Sequence, residues 1–257
     1  MYENEAIRCF SSWRKNGGWL KDIPIYAVCF THNTISESTR TELEKLNVTY
    51  IEYYEKESDS YSSGFLQLPY IGKFFEKTYS INQNILIRID LDMTLLKPIS
   101  SALVDATQYY DAVIGQYDVD SIKDQRKPYE DCLPFDTGFM LTDKRKCFNT
   151  FWYDTCFNSN VLNSAEWNDV KKQTGDYYLE EFAVDYINHN KLANILAVQK
   201  YQYGEGYASI RTFTDEQLKN LYFLHEHIYI NGKFPWGYNS VKERMTYLNR
   251  TNRLKPQ

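Results

Sequence analysis

Ile85–Ile99 reads ILIRIDLDMTLLKPI, a β-branched run that closes on two aspartates one residue apart. Strand side chains alternate faces, so Ile85, Ile87, Ile89 and Leu91 are predicted on one side and Arg88, Asp90 and Asp92 on the other. One face is then free to bury while the other carries two carboxylates and a cation to the strand's end. Neighbouring carboxylates repel and need a counter-charge, which a divalent cation supplies. Pro98 cannot continue a central strand, so the acids stand at a strand-to-loop exit, where open α/β sheets hold their ligands. Dense Ile and Leu ahead of the motif argue against an exposed edge strand whose acids only meet solvent, Lys or Arg. Asp90 and Asp92 are therefore read as metal ligands.

Strands and helices alternate on either side of this segment. Residues from Glu3 to about Leu20 are predicted helical, with Ala6, Ile7, Phe10 and Trp13 near helical spacing and Gly17-Gly18 as the stop. Ile23–Phe30 reads as a buried strand, Ser36 opens a helix that runs to Leu46, and Val48–Tyr53 is a second strand. Ser62–Phe75 is predicted helical, with Pro69 near a first turn or a kink. Later strands are expected at Ala112–Gly115, Gly138–Thr142, Ile195–Val198 and Leu221–Tyr229, and helices at Lys144–Asn158 and Tyr178–Asn188. Short connections between alternating elements imply an α/β sheet covered on both faces and one domain over residues 1–257. Residues 238–257 are expected to form a basic C-terminal helix or loose tail.

Composition narrows the function. The chain has 257 residues, 43% hydrophobic and 25% charged, enough for a sizeable core and inconsistent with disorder. A net charge of −5 with the two signs interspersed offers no footprint for nucleic acid. Five cysteines with no Cys-x-x-Cys pair argue against a disulfide framework or a structural zinc, and fit a reducing compartment. No signal sequence or membrane-spanning run is visible, so a cytoplasmic location is expected. The basic tail leaves a peripheral contact with an anionic membrane surface open.

Three further segments offer chemistry. Phe135–Leu141, FDTGFML, places a small polar turn before a buried strand. There Gly138 would let the backbone approach a ligand, and Asp136 and Thr137 would bond hydroxyls. His225 and His227, in LHEHIY, hold half of the four histidines and suit a mixed N/O site for Mn²⁺. Lys233 follows in the turn-rich NGKFPWG, placed to hold an anion. Asp176, Glu180 and Glu181, in GDYYLEEFAVDY, are candidate catalytic or sugar-positioning acids, although acids in a first helical turn often serve as caps.

Taken in order, these pieces resemble glycosyltransferases of the GT-A fold, especially the glycogenin and lipopolysaccharide galactosyltransferase type (family 8-like). Ile85–Ile99 is similar to that family's metal-binding Asp-x-Asp strand. Phe135–Leu141 is similar to its Asn-Ser/Thr-Gly segment, with Asp136 where Asn is usual, and Leu224–Trp236 to its late His…Gly…Lys-Pro-Trp segment. The resemblance implies a Rossmann-like, mixed, mainly parallel sheet flanked by helices. Because this chain opens on a helix, the base-cradling first strand of the family is expected to be lacking.

The resemblance also implies sugar transfer from a nucleotide diphosphate sugar, UDP-sugars being the expected donors, to a hydroxyl of a carbohydrate acceptor on a glycan, glycolipid or glycoprotein. Asp90, Asp92 and one of His225 and His227 would hold Mn²⁺ or Mg²⁺ on the diphosphate. Lys233 and Arg88 would add fixed positive charge, with Asp136, Thr137 and Gly138 on the donor. Asp176, Glu180 or Glu181 would deprotonate the acceptor if the reaction inverts. Two other readings stay open. IDLDMTL resembles the haloacid dehalogenase phosphatase signature, with Asp90 as nucleophile, but Met93 replaces its usual Gly and no late Asp-Asp segment follows. A catalytically inactive carbohydrate-binding homologue is the other.

Overall fold

A computed structural model describes residues 2–29, 35–52, 67–117, 128–130, 133–199 and 221–225. Its strands are β1 (Ile25–Cys29), β2 (Val48–Glu52), β3 (Ile85–Ile89), β4 (Met93–Leu95), β5 (Ala112–Gln116), β6 (Phe135–Asp143), β7 (Ile195–Gln199) and β8 (Phe223–His225). The helices are α1 (Tyr2–Asn16), α2 (Glu37–Lys45), α3 (Gln67–Lys77), α4 (Ser101–Ala106), α5 (Phe148–Cys156), α6 (Ser159–Leu162), α7 (Ala165–Thr174) and α8 (Leu179–His189). They fall into two compact units, one within Met1–Tyr53, Asp90–Ile99 and the chain from Lys200, the other within Tyr54–Ile89 and Ser100–Gln199.

In the first unit, α1 carries Glu3 and Glu5 in its first turn and Arg14 and Lys15 in its last, the charge order the helix dipole favours. Ala6, Cys9, Phe10 and Trp13 form its buried stripe, and Trp13 meets Phe223 of β8 with ring centroids 6.0 Å apart. Strands β1 and β2 pair in parallel, Ile25 opposite Val48. Ser36 caps α2 through Thr39 N–H, and the Glu3 carboxylate accepts from Ser36 N at 2.9 Å and Thr39 Oγ1 at 2.5 Å. These hydroxyl and amide donors hold the Glu3 carboxyl down at about 2 and tie the start of α1 to the cap of α2.

The second unit is built on a four-stranded sheet in the order β3-β6-β5-β7. β6 runs antiparallel to both neighbours, while β5 and β7 are parallel. The sheet is mixed, as expected, but parallel pairs do not dominate: of the strand pairs among the described residues, only β1–β2 and β5–β7 are parallel. Insertion of the long reversed strand β6 is the reason. Every residue of β6 is buried, and its core partners include Trp152, Trp167, Phe182 and Ile187 from the helices.

Two local expectations change. The helix predicted over Lys144–Asn158 breaks at Cys147, whose φ of 57° is left-handed, so a 3₁₀ turn over Lys144–Lys146 precedes α5. The polar turn predicted at Phe135–Gly138 is part of β6. There the β5 register jumps from Ile114↔Met140 to Gly115↔Asp136, leaving Thr137, Gly138 and Phe139 as a bulge. None of the four described cysteines is in a disulfide, and no helix among the described residues is long and apolar enough to cross a membrane.

Candidate active site

The Asp-x-Asp segment differs from a continuous strand. β3 ends at Ile89, and Met93 N donates to Asp90 O at 3.1 Å, closing a β-turn over Asp90–Met93. Alternation therefore stops before the acids, so both aspartates stand on a turn rather than on a strand face. Asp92 is buried, 6% exposed, and Asp90 is half-buried. β4 then pairs with β8, placing Met93 opposite His225, so the backbone of one predicted histidine ligand lies beside the Asp turn. His227 and Lys233 lie outside the described residues, as does the stretch 238–257.

Helix α1 fixes this turn through a polar stripe that the sequence reading overlooked. Arg8, Ser12 and Asn16 follow each other at i, i+4 and i+8. Arg8 Nη2 donates to Asp92 O at 2.9 Å, Leu95 N donates to Ser12 Oγ at 2.8 Å, and Asn16 Nδ2 donates to Leu95 O at 2.7 Å. Main-chain groups of Asp92 and β4 are thereby satisfied by one helix face. The signal was visible as a four-residue polar period running beside the apolar stripe of α1. Burial first, and then the charges of Asp92 and Asp90, push the Cys9 thiol up, with Arg8 opposing them. Both carboxylates thus direct negative potential at the same patch of α1.

Hard oxygen donors on one short turn suit Mn²⁺ or Mg²⁺, so the residues present fit the expected ion as part of a ligand set. Among the described residues, no group of three or more His, Cys, Asp and Glu is assembled.

In the second unit, Asp136 is 3% exposed and its Oδ1 accepts Gly138 N–H at 2.9 Å, which shapes the bulge in β6. Arg88, expected on the acids' face, instead donates from Nη1 to Thr137 O and lays its guanidinium 5.6 Å from the Trp152 ring centroid. It binds the bulge rather than extending the Asp turn. Trp152 in turn donates Nε1–H to Glu180 O at 2.8 Å, and Asp185 Oδ1 accepts Phe135 N–H at 2.8 Å. Burial raises the Asp185 carboxyl well above the usual range, only partly opposed by that hydrogen bond. Asp185 was missed because its apolar neighbours in LEEFAVDY read simply as a helix face.

The three candidate acids part company. Asp176 pairs with Lys171 at 2.8 Å. Glu180 is 3% exposed, and its charge raises the fully buried Cys156 thiol, second to burial itself, so it faces the helical core. Glu181 is half-buried and accepts from Tyr117 Oη at 3.3 Å, while Tyr117 N bonds Pro134 O at 3.0 Å just before β6. Of the three, Glu181 is the one joined to the end of β5 and the start of β6, where Asp136 lies.

No protein-family model matches the chain, and no curated protein matches it in sequence. Solved structures do. The galactosyltransferase LgtC, determined with donor and acceptor sugar analogs, aligns over 100% of this chain and 94% of its own at TM-score 0.58 and 12% identity. The bifunctional glycosyltransferase WbbM aligns over 97% of this chain and 47% of its own, with TM-score 0.54 and 9% identity. The glycosyltransferase GlyE of Streptococcus pneumoniae TIGR4 covers 97% and 57%, with TM-score 0.52 and 13% identity. The chain therefore has the GT-A glycosyltransferase fold, an α/β architecture with a mixed sheet flanked by helices.

Proposed function

We propose that the protein is a metal-dependent glycosyltransferase that moves a sugar from a nucleotide diphosphate sugar, a UDP-sugar foremost, to a carbohydrate hydroxyl. The carrying observation is the Asp90–Met93 turn at the exit of β3, in a fold shared with solved glycosyltransferases. Asp90, Asp92 and one of His225 and His227 would hold Mn²⁺ or Mg²⁺. When bound, the ion would supply Lewis-acid neutralisation of the charge that grows on the departing diphosphate. Lys233 would add a fixed positive charge to the same group.

Asp136, Thr137 and Gly138 would bind sugar hydroxyls through the bulged backbone of β6. We assign Arg88 to holding that bulge, because its Nη1 donates to Thr137 O. Glu181 is assigned to the acceptor hydroxyl, oriented by Tyr117, since Asp176 is ion-paired with Lys171 and Glu180 faces the core. Residues 1–257 would act as one glycosyltransferase-like domain. The phosphatase reading loses ground because the chain shares its fold with glycosyltransferases over its whole length.

A panel of nucleotide sugars with Mn²⁺, scored by release of free nucleoside diphosphate with and without EDTA, tests this. One donor should be turned over, the signal should vanish on chelation, and Asp92→Asn should lower kcat on the order of 10²–10³-fold with an unchanged circular dichroism spectrum. Silence across the panel alongside turnover of p-nitrophenyl phosphate would replace this reading with the phosphatase.

A further inference from the structure

At the Asp143 end of β6 the second unit carries a cleft of about 630 Å³. Asp143 is seven residues along the strand from Asp136, so the cleft stands roughly 20 Å from the bulge assigned to the donor sugar. Ile85 and Val104 supply its apolar lining. Around them stand Asn84, Asp105, Gln108, Asp143, Arg145 and Lys146.

These walls are held by their own hydrogen bonds. Lys144 N donates to Asn84 O at 2.8 Å, and Lys146 Nζ donates to Gln108 O at 3.1 Å and Tyr110 O at 2.8 Å. Arg145 grips buried Asp143 through Nε at 2.9 Å and Nη2 at 2.5 Å. A cleft so braced receives a ligand with little reordering, and its volume lies within the range of small-molecule sites.

The lining also indicates the ligand's chemistry. Arg145 and Lys146 are matched by Asp105 and Asp143, so no net positive field is present to select a phosphate or a nucleotide. The Asn84 and Gln108 amides both donate and accept, Asp105 accepts, and Arg145 Nη1 lies outside the Asp143 pair as a further donor. Planar polar groups of both kinds beside apolar side chains suit the hydroxyls and C–H faces of a neutral sugar. Tyr109, next in sequence to Gln108, is 75% exposed and offers an aromatic ring to solvent.

We propose that this cleft is a second carbohydrate site, which holds a neutral oligosaccharide, the remote part of the acceptor, away from the transfer centre. The choice of a carbohydrate rests on the transferase reading. The test is calorimetric titration of the full chain with maltohexaose, cellohexaose and mannohexaose, with oligogalacturonate as the anionic control. One neutral hexasaccharide should bind, and the double variant Asp105→Ala/Gln108→Ala should weaken it at least about tenfold while donor hydrolysis is unchanged. Absence of binding by all three, binding indifferent to the double variant, or tighter binding of oligogalacturonate would overturn the proposal. Hexasaccharide binding lost in the variant of a protein that hydrolyses no donor would instead keep the site and remove the transferase.

Discussion

Single side chains set the chemistry, and their surroundings divide them into roles. Glu180 and Glu181 are adjacent in sequence, yet one faces Cys156 in the core and the other meets the Tyr117 hydroxyl. If Glu181 is the acceptor base, Glu181→Gln should lower kcat by about 10²–10⁴ with KM little changed and remove the acidic limb of the kcat profile. Activity and pH profile identical to wild type would leave transfer without a side-chain base, as a retaining reaction permits. Asp185 makes a different prediction. Burial raises its carboxyl in the folded chain, so the folded state binds this proton more tightly than the unfolded one. Its contribution to stability is therefore full below about pH 4 and declines as pH rises through the folded value. Asn can still accept from Phe135 N–H but does not ionise. Urea denaturation should show Asp185→Asn at least as stable as wild type at pH 8, with a weaker fall in stability between pH 5 and pH 8. An equal fall in both proteins would show that this carboxyl does not titrate as burial requires.

Elements meet through a few close approaches that decide which faces pack. Gly72 of α3 lies against Asn149 of α5, and a Cβ there would come within 2.4 Å of the Asn149 Cγ and Oδ1. Asn149 has little room to give, being 2% exposed and bonded through Nδ2 to Glu76 at 2.8 Å and to Thr142 at 2.8 Å. Gly72→Ala should thus cost about 1–3 kcal/mol by overpacking, against a gain of roughly 0.8–1 kcal/mol from helix propensity. A variant that melts higher than wild type would mean that α3 and α5 stand further apart. Element types were legible where periodicity and caps agreed: Ser36 opens α2, and the buried stripe of α1 follows its 3.6-residue repeat. They were less legible where one backbone torsion decides. The left-handed Cys147 splits a helix that propensity would run through, because the 3₁₀ turn ahead of it is stabilised by Asp143 Oδ1 accepting Arg145 N–H.

At the scale of the molecule, the α/β class was legible from alternating strand and helix patterns, and the fold agrees with the resemblance carried by Ile85–Ile99. Strand direction was not legible, because hydrophobic alternation is the same for a strand run either way. The sequence alone determined that a β-branched strand ends at two aspartates, that a glycine follows Asp136 two residues on, and that α1 has an apolar stripe. These are properties of neighbours in the chain, and local geometry translates them directly. Only the tertiary structure decided that Asp90 and Asp92 share a turn braced by Arg8, some 80 residues earlier, and that Arg88 turns to the β6 bulge. It also decided that Asp185 rather than Asp176 is buried behind Phe135. Such contacts join residues far apart in sequence, and a buried polar atom takes whichever partner packing brings within hydrogen-bond reach.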